Sequence, residues 1–218
     1  MPRPAILDAV TIDPARAAAH LRAADPILAP VVDALGPLEL RPVRDSSFEA
    51  LCRSIVYQQL SGRAAGTIFQ RFRALYVPDG TGFPAPEQVL ATPPEMLRSA
   101  GLSRQKIASL LSLAEHFATG ELAEQSFEHW PDEEIIAHLQ RVRGIGRWTA
   151  EMFLIFQLRR PDVLPVNDLG INRAIMKRYG LPAMPDPATV RSTGQPWHPH
   201  ASVACLYLWR SEDVRLPG

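Results

Sequence analysis

Asp168, in "LPVNDLGINRAI", stands immediately before a helical pattern, and 22 residues upstream of it two glycines flank an isoleucine in "RVRGIGRWTA". A carboxylate in front of a helix caps its unbonded amides, worth about 1 kcal/mol, and the helix dipole favours its ionised form. A fixed negative charge of that kind can also stabilise an oxocarbenium-like sugar and orient water toward it, as carboxylates do in glycoside hydrolysis. Cap and catalyst are therefore compatible in one residue. The glycine turn has a different chemistry. Gly144 and Gly146 permit positive φ and close backbone approach, and Ile145 can plug the gap below them. Outward amides at the start of the following helix then form an anion site suited to a phosphate, reinforced by Arg143 and Arg147.

A glycine-x-glycine turn between two helices, with flanking arginines and no preceding strand, points to a helix-hairpin-helix that holds a nucleic-acid backbone without reading its sequence. The formal net charge of zero argues mildly against such a partner, but residues 141–180 hold eight basic side chains against three acidic ones. The positive charge is concentrated where the hairpin lies. With 46% hydrophobic residues spread along 218 positions, no low-complexity tract and no block of like charge, the chain can bury a sizeable core as one domain or two lobes. "MPRPAILDAVTIDPARAAAHL" lacks the basic start and apolar core of a signal peptide, and no window approaches about eighteen apolar residues, so a cytoplasmic, nucleoid-associated location and no membrane are expected. Cys52 and Cys205, both inside apolar patterns, read as buried thiols, and two cysteines cannot hold a four-cysteine iron–sulfur cluster.

To position these groups the chain reads as all-α. The patterns predict helices near 14–24, 46–58, 61–76, 86–91, 93–100, 104–119, 132–142, 147–158, 169–179 and 199–210, with the 21 prolines mostly between them. Asp13-Pro14 is a start signal, Ser46 with Glu49 forms a capping box, and Thr92, Pro93 and Glu95 repeat the device. Gly101, Gly120 and Gly180 mark helix ends.

"LQRVRGIGRWTAEMFLIFQLRRPDVLPVNDLGINR", with "FEALCRSIVYQQLSGRAAGTIFQRF", "LRSAGLSRQKIASL" and "WHPHASVACLYLWR", resembles the helix-hairpin-helix (HhH-GPD) DNA glycosylase superfamily, more narrowly its 3-methyladenine DNA glycosylase II (AlkA-like) branch, over residues 17–211. The resemblance implies a two-lobed helical fold with a cleft between the lobes: 44–160 carrying the hairpin, and 1–43 with 161–218 packing across the cleft. It implies a monofunctional enzyme of base excision repair that flips 3-methyladenine, 7-methylguanine and related adducts from duplex DNA and hydrolyses the N-glycosidic bond. Asp168 matches the catalytic aspartate. Arg143, Gly144, Ile145, Gly146, Arg147 and Thr149 match the grip on the DNA backbone. Trp148, Trp197, Met152, Leu169 and Tyr57 match the base pocket, where indole faces suit cationic, electron-poor bases. Trp148 stands where bifunctional relatives carry a nucleophilic lysine, so no lyase activity is expected. Gln58, Gln59, Leu60 and Ser61 match the loop that fills the gap left by the flipped nucleotide, with Gln59 at the wedge position.

No cofactor and no metal are required, although hairpin carbonyls of this family can hold a monovalent ion, and the expected species is a monomer on double-stranded DNA containing alkylated bases. Ala201 replaces a common arginine, His200 an aromatic, Met152 and Leu169 tyrosines, and Arg143 a proline, which points to a more open, less aromatic pocket. Two other readings stand beside this one: a non-catalytic helix-hairpin-helix protein in which Asp168 only caps its helix, and a glycosylase of the same fold acting on mismatched or oxidised bases.

Overall fold

The structure, a computed structural model, describes residues 12–40, 42–78 and 81–212; the ends of the expected second lobe, 1–11 and 213–218, lie outside these. Among the described residues there are thirteen α-helices and no strand: α1 (Pro14–Ala24), α2 (Ala29–Leu35), α3 (Ser47–Tyr57), α4 (Gly62–Ala74), α5 (Pro86–Leu90), α6 (Pro94–Ser99), α7 (Arg104–Ala118), α8 (Glu124–His129), α9 (Asp132–Leu139), α10 (Arg147–Phe156), α11 (Leu169–Arg178), α12 (Pro187–Gly194) and α13 (Ala201–Ser211). None is long and apolar enough to cross a membrane.

The start signals mostly act as their chemistry dictates. Asp13 Oδ1 accepts from the amides of Ala15 and Arg16 at 3.0 and 3.1 Å, and Ser46 Oγ accepts from Glu49 N at 3.2 Å. Only half of that capping box forms, because the Glu49 carboxylate turns to Arg53 one turn later, at 3.4 Å. Thr92 does not cap α6: its hydroxyl donates to the Gln88 carbonyl of the preceding helix at 2.7 Å, and Pro93 leads α6 with no side-chain cap. Three helices were not expected. With seven and six residues, α2 and α8 are too short to show a period. By contrast α12 begins at Asp186-Pro187, the same signal as Asp13-Pro14, with Asp186 Oδ1 accepting from Thr189 N at 2.7 Å.

The chain forms two compact units, a central one (Val43–Phe153) and a terminal one that combines Met1–Pro42 with Leu154–Gly218. In the central unit α7 packs against α3, α5 and α6. Leu51, Ile55, Phe69, Phe72, Leu110, Leu113 and Phe127 are buried there, and Phe69 stacks on Phe83 at 5.8 Å. In the terminal unit Leu21, Leu28, Val32, Ile171, Ile175, Trp197, Val203 and Leu208 share one core.

Asp25 ties the terminal unit together. It is only 4% exposed. Its Oδ1 accepts from the amides of Ile27 and Leu28 at 2.9 and 3.0 Å. Its Oδ2 accepts from Trp197 Nε1 at 2.7 Å and from the Tyr179 hydroxyl. Burial, reinforced by the carboxylate, raises the Tyr179 pKa, so this phenol stays protonated and remains a donor. A buried carboxylate is tolerated only with such a full set of partners.

Candidate active site

The hairpin lies in the central unit. After α9 the chain turns through Val142 N to Leu139 O and Ile145 N to Val142 O, both 3.1 Å, and enters α10. The two glycines differ in their reasons. Gly144 has φ +82°, and a Cβ there would sit 2.5 Å from Ser109 Oγ, so both backbone conformation and packing demand glycine. Gly146 needs no positive φ, and a Cβ on it would meet nothing within 4 Å. Among the described residues nothing explains that glycine, whereas an external backbone in close approach would. Ile145 is 4% exposed and plugs the turn as its apolar side chain requires.

The flanking side chains divide. Arg143 is exposed, and its amide donates to Ser112 Oγ at 3.2 Å. Arg147 is not an open phosphate ligand: its guanidinium donates to Glu133 Oε2 from Nη1 at 3.0 Å and to Glu151 Oε1 from Nε at 2.9 Å. The Glu133 hydrogen bonds raise the Arg147 pKa further, and Arg147 in turn lowers that of Glu133. Arg147 thus braces α10 against the start of α9, with two carboxylates balancing its charge. Thr149, the other expected backbone contact, is 7% exposed and faces inward. The carbonyls of Leu139, Val142, Gly144 and Gly146 each already accept a hydrogen bond, so a monovalent ion there would have to share them.

Between α3 and α4 the loop 58–61 projects outward. Gln59 is exposed and held at φ +57°, a conformation that non-glycine residues rarely adopt. Leu60 is 38% exposed. Ser61 is engaged as the N-cap of α4, its Oγ accepting from Ala64 N at 3.5 Å. The Gln58 side chain does not point outward but donates to the Gly144 carbonyl at 2.9 Å. Tyr57, at the end of α3, is partly exposed and meets the edge of Phe69 at 6.5 Å.

The carboxylate lies in the terminal unit. Asp168 caps α11, Oδ1 accepting from Ile171 N at 2.8 Å, and the same oxygen accepts from Trp209 Nε1 of α13, also at 2.8 Å. Asp168 is 6% exposed, so these donors hold it where bulk water does not compensate for them. Gly170 makes the pairing feasible: a Cβ there would lie 2.9 Å from Trp209 Cδ1 and 3.1 Å from Asp168 Oδ1. The indole of Trp209 stacks on Phe156 with centroids 5.6 Å apart and planes 27° from parallel. Upstream, Ser202 of α13 laces the approach to Asp168, donating to Arg160 O at 2.7 Å and accepting from Val163 N at 2.9 Å.

Along α10, Trp148, Met152 and Phe156 recur every four residues on one face, with Trp148 48% and Phe156 45% exposed and Met152 half-buried. Leu169, beside Asp168, is 68% exposed. Trp197 is a correction: it is fully buried and spends its indole N–H on Asp25, so it offers no face to a ligand. The tryptophan beside the carboxylate is Trp209, which sequence reasoning missed together with Phe156 and Gly170. The available signals were the glycine two residues after Asp168 and a second indole near the end of an apolar helix, whose N–H needs an acceptor when half-buried.

The glycine turn between α9 and α10 is that of a helix-hairpin-helix. The sequence profile of the HhH-GPD superfamily of base excision DNA repair proteins matches residues 52–199, and the chain belongs to that family. Among its relatives is DNA-3-methyladenine glycosylase 1 of Schizosaccharomyces pombe, 36% identical over 168 residues, 77% of this chain and 73% of that protein. Two solved structures are similar throughout. The S. pombe 3-methyladenine DNA glycosylase in complex with abasic DNA has a TM-score of 0.79 at 33% identity, covering 93% of this chain and 99% of that one. A DNA-3-methyladenine glycosidase from Bacillus halodurans has a TM-score of 0.80 at 36% identity, covering 89% and 88%.

Proposed function

We propose that this protein is a monofunctional DNA glycosylase of base excision repair, acting as a monomer on duplex DNA at the nucleoid. It releases alkylated purines of the 3-methyladenine and 7-methylguanine type. The observation that carries the mechanism is the geometry of Asp168, whose Oδ1 is held by one backbone amide and one indole N–H at 2.8 Å each. The positive end of the α11 dipole faces this carboxylate. As the bond between sugar and base lengthens, its electron pair leaves with the base, and positive charge develops on the sugar. A rigid carboxylate stabilises that charge and orients a water whose oxygen bonds to C1′, the water's proton passing to solvent.

An N-methylated purine is already cationic, so it departs as a neutral base and needs little acid catalysis. The Phe156–Trp209 stack on the Asp168 side, and in the other unit the exposed Trp148 ring, each suit an electron-poor ring by stacking and cation–π attraction. Trp148 supplies no amine to attack the sugar, so the product is an intact abasic strand. The hairpin contributes amides rather than the Arg147 charge.

The test is Asp168→Asn, which keeps an acceptor for the Ile171 amide and leaves the hairpin untouched. Free base released from N-methylated duplex DNA should fall at least about 100-fold while duplex affinity changes little. Strand breaks after wild-type digestion should appear only with alkali. Base release undiminished in the variant would leave Asp168 a cap and nothing more.

A further inference from the structure

Three side chains of α7 and one of the loop 58–61 join that loop to the hairpin. Lys106 Nζ donates to Ile55 O at 2.7 Å and to Gln58 O at 2.8 Å, the closing carbonyls of α3. One turn on, Ser109 packs against the Gly144 backbone so closely that no Cβ fits there, and three residues later Ser112 Oγ accepts the Arg143 amide at 3.2 Å. Gln58 closes the circuit by donating its Nε2 to Gly144 O at 2.9 Å. We infer that α7 is a strut that sets the outward loop and the hairpin in one register, with Lys106 and Gln58 as positioning residues for base flipping; this rests on the glycosylase reading.

The argument is local and physical. The Gln58 carbonyl belongs to the peptide group that leads into Gln59, so the ammonium that grips it fixes the plane from which Gln59 enters its left-handed conformation. That conformation is unfavourable for glutamine and persists only where the surroundings over-determine it. The closing carbonyls of α3 carry the negative end of the helix dipole, which an ammonium complements. Partial burial lowers the Lys106 pKa by desolvation, and the two carbonyls replace part of the water its ammonium loses. A loop fixed in this way against the phosphate grip presents its tip at a set distance from a held backbone. The entropy of ordering the tip is then lost on folding and not on binding DNA.

The experiment compares single-turnover base release for wild type, Lys106→Met, Lys106→Arg and Gln58→Met on two duplexes. In one, the methylated purine is paired normally; in the other it faces an abasic analogue and is already unpaired. Thermal melting establishes that each variant is folded. Lys106→Met and Gln58→Met should lose about 10- to 100-fold on the paired duplex and under about 3-fold on the unpaired one, with Lys106→Arg recovering most of the loss. Equal losses on both duplexes, or none on the paired one, overturn the strut. A wild type that releases no base from either duplex instead overturns the glycosylase reading, and the strut then stands or falls on whether the variants weaken equilibrium binding to undamaged duplex.

Discussion

Replacing Asp25 by asparagine separates the two tryptophans of the terminal unit more sharply than any change at the carboxylate itself. The asparagine Oδ1 can keep the amides of Ile27 and Leu28, now as neutral bonds rather than charge-assisted ones. Its amide group takes the place of Oδ2, where two donors converge. The Tyr179 hydroxyl can rotate and accept, but the Trp197 indole cannot, so one buried N–H is left facing another. An unsatisfied buried donor costs about 1–3 kcal/mol, and the weakened backbone bonds add about 1 kcal/mol more. We expect Asp25→Asn to lose about 3 kcal/mol, roughly 6–12 °C in Tm at this size. Trp197→Phe removes the orphan at its source, so in that background the cost of Asp25→Asn should fall by about 1–2 kcal/mol. Urea unfolding of the four proteins gives the coupling directly. Additive costs within about 0.5 kcal/mol would refute the hydrogen-bond reasoning, and lost base release from folded Trp197→Phe would refute its assignment to the core.

The hairpin glycines should respond in opposite ways. Gly144→Ala, forced into positive φ against Ser109, should cost about 2 kcal/mol or more of stability, whereas Gly146→Ala should melt normally and bind all duplex sequences more weakly alike, measured by melting and by anisotropy titration. Gly170→Ala should displace Trp209 from Asp168 and slow base release by about 10-fold or more with an unchanged far-ultraviolet spectrum, and an unchanged rate would detach Trp209 from the mechanism. His200 has its pKa lowered by desolvation and then by His20 and Arg16, so below the ordinary histidine value of about 6.5 the unfolded chain binds a proton that the folded one resists. The His200 contribution is therefore complete above that pH and is lost as pH falls through and below it; His200→Asn should flatten the decline in melting temperature between about pH 6.5 and 5.

Local signals were legible because they are local. Asp13, Ser46, the positive φ of Gly144 and the cap at Asp168 each act within four residues of themselves. Asp186-Pro187 carried the same signal, and α12 was missed for lack of an apolar period behind it. What sequence could not show is pairing across distance. Asp25 meets Trp197 172 residues away, and no periodicity distinguishes Trp197, buried with its N–H satisfied, from Trp209, poised on the carboxylate. The i,i+4 spacing of Arg147 and Glu151 was readable, but Glu133, which completes the brace, stands on another helix. The conversion of Arg147 from expected phosphate ligand to brace follows from that second carboxylate. A lysine near a helix start is usually solvated, and only the carbonyls of Ile55 and Gln58, some fifty residues upstream, set Lys106 apart.

The fate of Arg147 bears on how such a protein travels along DNA. Each phosphate neutralised by a cation releases condensed counterions, and affinity then falls steeply with salt, by a slope near 0.9 per contact. If the hairpin holds DNA as proposed, its amide dipoles and an Arg147 already balanced by Glu133 and Glu151 add little of that salt-sensitive attraction. On the proposed reading, the salt dependence of duplex binding then falls to Arg143 and the other basic side chains of 141–180, so Arg143→Ala should flatten it and Arg147→Ala should not.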